Sequence, residues 1–68
     1  MQDCRFTERE KQILILVADD LTAKQIARRL GIAVKTVEYH KRAMKQKINV
    51  HGIAGLVRYG IRTGTIKP

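Results

Sequence analysis

The most constraining feature of this sequence is the short gap at Gly31 between two amphipathic segments. In "TAKQIARRL", apolar residues recur at the i, i+3, i+4, i+7 spacing of a helix face. Thr22 and Gln25 have the spacing of a capping box, which marks the start of this helix. Gly31 suits the left-handed position just after its end, and only two residues precede the next helical segment. Helices joined so closely must cross at a large angle, which predicts a helix-turn-helix.

The segment after this turn, "AVKTVEYHKRAMKQKI" at 33–48, is amphipathic but carries five basic side chains and one acid. A helical wheel predicts a buried arc made of Ala33, Val34, Val37, Met44 and Ile48. The opposite arc consists of Lys35, Glu38, Tyr39, Arg42 and Gln46. Like charges on one face repel, so this face suits a polyanion, although a solvated face is the alternative.

Two further helices flank this pair. Thr7 and Glu10 form a second capping box at the start of "EREKQILILVA", and Asp19 and Asp20 are expected to end that helix. The segment "IAGLVRYGIRTG" has an apolar side and follows a break at 49–52. We therefore predict one all-α domain over 1–68, a four-helix helix-turn-helix bundle with helices at about 8–19, 22–30, 34–48 and 52–62.

Composition excludes several function classes. The single Cys4 allows no internal disulfide, and we expect it to be an exposed thiol near the terminus of a cytoplasmic protein. The longest apolar run, "ILILVA", is too short to span a bilayer, so no membrane partner is expected. The sequence contains no metal-ligand spacing, phosphate loop or nucleophile and base pair, which predicts a protein without cofactor or metal that is not an enzyme.

Charge is distributed unevenly along the chain. Residues 1–20 carry three bases and five acids, a sum of −2, whereas residues 21–68 carry eleven bases and one acid, a sum of +10. The net charge of +8 is therefore concentrated after the first helix. This polarity predicts that one part of the domain meets a polyanion, and duplex DNA is the candidate that fits a helix-turn-helix.

The second helix of such a motif enters the major groove, so its exposed face should contact bases. Arg42 can donate to guanine O6 and N7, Glu38 can accept from cytosine N4, and Tyr39 can contact a thymine methyl or a phosphate. Alternatively, Glu38 and Arg42 form a surface ion pair. The predicted base contacts are Lys35, Glu38, Tyr39 and Arg42. The predicted phosphate contacts are Lys24, Thr36, His40, Lys41, Lys45 and Lys47, with Arg28 and Arg29 as further candidates.

The chain also resembles a known family over about residues 6–66, the four-helix DNA-binding domain of LuxR/GerE type, as in NarL/FixJ-type response regulators. The matching elements are "TERE" at 7–10, "LVA" at 16–18, "KQIARRLGI" at 24–32, "KTVEYH" at 35–40 and the apolar spacing Met44, Ile48, Val50. The resemblance implies a bacterial transcription regulator whose residues at the positions of Glu38, Tyr39 and Arg42 read bases.

The resemblance also implies a homodimer on DNA, assembled largely through the fourth helix on half-sites about one turn apart. RNA polymerase is a further candidate partner. The dimer residues it implies are Leu56, Val57, Tyr59 and Gly60. The chain departs from the family at four positions: Glu38 replaces a common Lys, Ala33 a Ser cap, Asp20 a Gly and Ile53 an Arg.

Other functions remain open at this point. A protein-interaction module with the same fold, such as a sigma-factor-like contact or an anti-activator, is favoured by Glu38, since an acid facing phosphates must be compensated. A recombinase or transposase DNA-binding arm would require a catalytic domain elsewhere. Binding to a membrane surface is least compatible, because the apolar faces are needed for the core.

Overall fold

Four helices make up the fold in the computed structural model, which describes residues 5–67. They are α1 (Glu8–Ala18), α2 (Ala23–Leu30), α3 (Val34–Lys47) and α4 (Ile53–Arg62). The predicted all-α fold is confirmed, and each predicted helix end lies within one residue of the observed end. Cys4, expected to be an exposed thiol, lies outside the described residues.

Both predicted capping boxes are present. The Thr7 hydroxyl accepts from the Glu10 backbone N–H (3.1 Å), and the Glu10 carboxylate accepts from the Thr7 N–H (3.0 Å). Thr22 and Gln25 make the same exchange at 3.2 Å and 2.8 Å. Each box pairs two backbone N–H groups that the first turn of a helix leaves without an internal partner, which fixes where α1 and α2 begin.

The turn between α2 and α3 has the geometry that the sequence predicts. Gly31 has φ +69°, in the left-handed region, and the Ile32 N–H donates to the Ala27 carbonyl (3.0 Å). This bond closes the end of α2, and the left-handed Gly31 turns the chain before α3 begins. α2 then packs against α3. Asp20 takes the same left-handed role after α1, with φ +68°.

One hydrophobic core holds the four helices together. α1 packs against all three other helices, and each helix contributes at least one buried apolar side chain. The buried apolar residues are Phe6, Ile13, Leu14, Ile26, Ala27, Val37, Met44 and Leu56. Within residues 5–67, none of the helices combines the length and hydrophobicity needed to span a bilayer.

The segment after α4 folds back onto the bundle. Gly64 turns the chain with φ +83°, and the Ile66 N–H then donates to the Gly60 carbonyl (3.0 Å). A Cβ at Gly60 would lie 2.5 Å from Ile66 Cδ1 and 3.0 Å from Leu14 Cδ2. Gly60 is therefore needed for close packing inside the protein.

Candidate nucleic-acid interface

The exposed side of α3 brings together the four residues predicted to read bases. Lys35, Glu38, Tyr39 and Arg42 are all exposed, and Tyr39 has 63% of its surface accessible. They line one shallow groove of about 370 Å³ along the helix. The predicted grouping of these side chains on one accessible face is therefore present.

The opposite side of α3 fixes the helix in the bundle. Val37 and Met44 are both fully buried, and they meet core residues of the other helices. Because these buried side chains hold the helix from behind, the exposed face is presented on a rigid rod. A preorganised surface of this kind loses little conformational entropy on binding.

Val34 is placed differently from its prediction. We expected it in the buried arc, but it is 42% exposed and lines the same groove as Glu38 and Tyr39. Val34 and Glu38 are four residues apart, which on a helix separates them by only about 40°. Val34 thus lies at the border of the two arcs, and it belongs to the exposed face. Ala33, also expected in the buried arc, precedes the helix and is exposed.

The charges on this face are not paired with one another. The alternative ion pair between Glu38 and Arg42 is absent among the ion pairs of residues 5–67. Lys35 and Arg42 flank the single acid of the face. One hydrogen-bond acceptor group therefore lies between two cationic donors, and all three side chains are free to meet a partner.

The predicted phosphate contacts fall into two groups. Lys24 is exposed, and Thr36, Lys41 and Lys45 are half-buried but accessible. The other two point toward the interior: the Lys47 ammonium lies 2.6 Å from Glu10 Oε1, and His40 Nδ1 lies 3.7 Å from Glu10 Oε2. His40 Nδ1 is buried and has no hydrogen-bond partner among the described residues.

Glu10 is the buried acid that joins α1 to α3. It is 4% exposed, and its Oε1 accepts both from the Thr7 N–H and from Lys47. Burial raises the pKa of its carboxyl. Hydrogen bonds from Lys47 and Thr7 lower this pKa, as do the neighbouring charges of Lys47 and His40, and together they outweigh the effect of burial. The pKa of Glu10 consequently lies below its ordinary value, so the carboxylate form stabilises the fold.

This lowered pKa predicts a stability loss in acid. A carboxyl whose pKa is lower in the folded chain contributes stability above its unfolded pKa and loses it as the pH falls through the folded pKa. We expect the free energy of unfolding of the wild type to decrease as the pH drops below about 4.5. Glu10→Gln should cost about 1.5–3 kcal/mol at neutral pH and should make the free energy of unfolding less dependent on pH in acid. Urea unfolding at several pH values measures both.

Glu8→Gln is the matched control, because the Glu8 side chain is 90% exposed and its contact with Lys11 is a surface pair. It should leave the pH profile of unfolding close to that of the wild type. Parallel profiles for wild type and Glu10→Gln would show that Glu10 carries no acid-dependent stability.

The residues implied at a dimer interface are placed unequally. Leu56 is fully buried and Gly60 packs against Ile66, so the protein's own core occupies both and neither is available to a second copy. Val57 is half-buried. Tyr59 is half-buried as well, with its ring 5.2 Å from that of Phe6. α4 instead exposes Ile53 (38%) and Ile61 (39%).

The comparison with known families decides what kind of domain this is. The model of the bacterial regulatory proteins of the luxR family matches residues 5–60. The chain belongs to this family. Its members are transcription regulators rather than enzymes, and the chain is the DNA-binding helix-turn-helix domain of such a regulator.

Relatives of this luxR-family domain include longer proteins. The response regulatory protein YgeK of Escherichia coli K12, described as uncharacterized, is 40% identical over 62 residues, 91% of this chain and 42% of that protein. The transcriptional regulatory protein MctR of Rhizobium johnstonii is 38% identical over 60 residues, 88% of this chain and 28% of that protein. The chain thus spans less than half the length of these relatives.

Solved structures agree with the family assignment. The transcription factor GerE superposes with a TM-score of 0.89 at 31% identity, covering 96% of this chain and 97% of that one. Escherichia coli SdiA superposes with a TM-score of 0.85 at 34% identity, covering 96% of this chain and 27% of that one. The fold of the luxR-family domain therefore accounts for nearly the whole of this chain.

Proposed function

We propose that this domain binds duplex DNA in a sequence-specific manner, with α3 in the major groove. The observation that carries the proposal is the exposed groove on α3, where Lys35, Glu38, Tyr39 and Arg42 surround one patch while Val37 anchors the helix in the core. A helix with its side chains is about 10–12 Å across, which matches a major groove about 12 Å wide.

Specific roles follow from the chemistry of these side chains. Arg42, with no ion-pair partner among the described residues, is free to donate two hydrogen bonds to guanine O6 and N7. Glu38 is an acceptor for cytosine N4, and its charge is offset by Lys35 and Arg42 on either side. Tyr39 offers a ring face and a hydroxyl to a thymine methyl or a phosphate.

Phosphate contacts are assigned to the accessible polar side chains around this face, Lys24, Thr36, Lys41 and Lys45. Contacts of this kind fix the register on the duplex without reading sequence. We propose that Lys47 and His40 contribute less to phosphate binding, because Glu10 already lies close to both side chains.

A homodimer on DNA is part of the proposal. α4 offers an apolar stripe at i, i+4, i+8 spacing, made of Ile53, Val57 and Ile61, and two of the three are exposed large hydrophobic side chains. Two copies related by a two-fold axis through this stripe would read half-sites about 34 Å apart. RNA polymerase is the proposed second partner and the cytoplasm the proposed compartment.

The experiment that tests the proposal is a selection of binding sites from random duplexes by the purified domain, followed by base substitution in the selected site. Arg42→Ala and Tyr39→Ala should each relax preference by about 1–3 kcal/mol at one base pair. Lys45→Ala is the matched control and should weaken all sequences alike. Equal losses on every sequence for all three variants would refute the assignment of α3 as the reading helix.

A further inference from the structure

Val34 is an exposed valine at the start of α3, the helix proposed to read bases. Val34 is 42% exposed, and it is the one aliphatic residue among those lining the groove on α3. The other exposed large aliphatic residues in the described part of the chain lie on α1 and α4, at Ile15, Ile53 and Ile61. Burial in the core therefore does not explain Val34, and β-branched residues are not favoured helix formers.

The residues around Val34 restrict which chemical groups can bind beside it. The ring of Tyr39 lines the same groove, together with the charged side chains of Lys35, Glu38 and Arg42. Each of the three charged side chains can hydrogen-bond to a group on a base edge, but the aliphatic side chain of Val34 cannot. The occupant must therefore combine an apolar group with polar groups beside it.

The major groove of DNA presents one apolar group, the C5 methyl of thymine, while the other base-edge groups there are hydrogen-bond donors or acceptors. The net charge of +10 on residues 21–68 favours a duplex over other occupants with a methyl group and adjoining polar atoms. Val34 is also the first residue of α3, and the N-terminal residues of such a helix are the ones that reach base edges.

We propose that Val34 is a specificity-determining residue that selects thymine at one position of each half-site through contact with its C5 methyl. This inference rests on the proposed function, since it requires α3 to lie in the major groove. The contact discriminates against cytosine, which has a hydrogen at C5. It supplies a van der Waals contact in addition to the hydrogen bonds that Glu38 and Arg42 make with base edges.

Methyl deletion in the DNA tests this directly. In the selected operator, each thymine is replaced in turn by deoxyuridine, which lacks only the methyl group. Wild-type domain should lose affinity about fourfold at one thymine per half-site, the value of one buried methyl. Val34→Ala should bind the thymine operator about fourfold more weakly and show little further loss with deoxyuridine at that position.

Ile15→Ala is the matched control, because Ile15 is 43% exposed on α1, away from the groove, and its loss should leave operator affinity unchanged. Thermal unfolding of Val34→Ala should match the wild type. A selected half-site without thymine, or equal deoxyuridine penalties in wild type and Val34→Ala, would overturn the role of Val34 while leaving the proposed function intact. A domain without any sequence preference would defeat both.

Discussion

Raising the salt concentration from about 50 mM to about 200 mM should weaken duplex binding by this domain by about 10⁵-fold. Five of the basic phosphate candidates per copy have no acidic partner within residues 5–67: Lys24, Arg28, Arg29, Lys41 and Lys45. A dimer would then neutralise about ten phosphates, and the slope of log K against log salt would be about −9. Fluorescence anisotropy on a labelled operator measures this slope.

Single substitutions show how much each side chain contributes to the slope of log K against log salt. Lys45→Ala should make the slope shallower by about 1 per copy of the domain, because one phosphate contact is lost. Lys11→Ala is the control, since Lys11 lies on α1 beside Glu8 and carries no proposed contact. A wild-type slope near zero would contradict electrostatic binding to DNA altogether.

Truncating Leu56 should destabilise the domain strongly. The side chain is fully buried between the helices, and Leu→Ala changes in cores cost about 2–5 kcal/mol. A chain of 68 residues with an aliphatic core is expected to have only about 3–10 kcal/mol of stability in total. Leu56→Ala should therefore remove a large part of that stability, as followed by circular dichroism during urea or thermal unfolding.

Ile61→Ala provides the comparison on the same helix, because Ile61 is 39% exposed. It should cost less than about 1 kcal/mol in stability but weaken assembly of two copies on the operator. If Leu56→Ala instead left unfolding unchanged and impaired only assembly, Leu56 would belong to the dimer interface and the core described above would be misassigned.

Local sequence signals predicted most of the fold. The boxes Thr7/Glu10 and Thr22/Gln25 are made within four residues, so their spacing alone locates the starts of α1 and α2. Gly31 likewise acts through its own backbone, at φ +69°. The polar arc of α3 was predictable for the same reason, because the helix period alone places these residues on one side.

Features that depend on distant parts of the chain could not be predicted. The bond between Glu10 and Lys47 joins residues 37 positions apart, and in the sequence Lys47 looks like any other basic residue of α3. The resemblance implied Gly60 at a dimer interface, but in the structure the side chain of Ile66 fills the space beside it. Helical periodicity identifies an apolar side but does not say which neighbour covers it.

Val34 shows the same limit on a smaller scale. A wheel places it close to Val37 and Glu38 alike, and only the surrounding packing decides which face it joins. Its partial exposure next to Tyr39 was the one feature of the groove that sequence periodicity assigned to the wrong side.

The most direct test of the central claim is an NMR titration of ¹⁵N-labelled domain with the selected duplex, followed by amide chemical-shift changes. If α3 lies in the major groove, the largest changes should fall on residues 34–42, with those of α1 (Glu8–Ala18) small by comparison. Changes confined to α1 and α4, with 34–42 unaffected at saturation, would contradict the claim that α3 reads DNA.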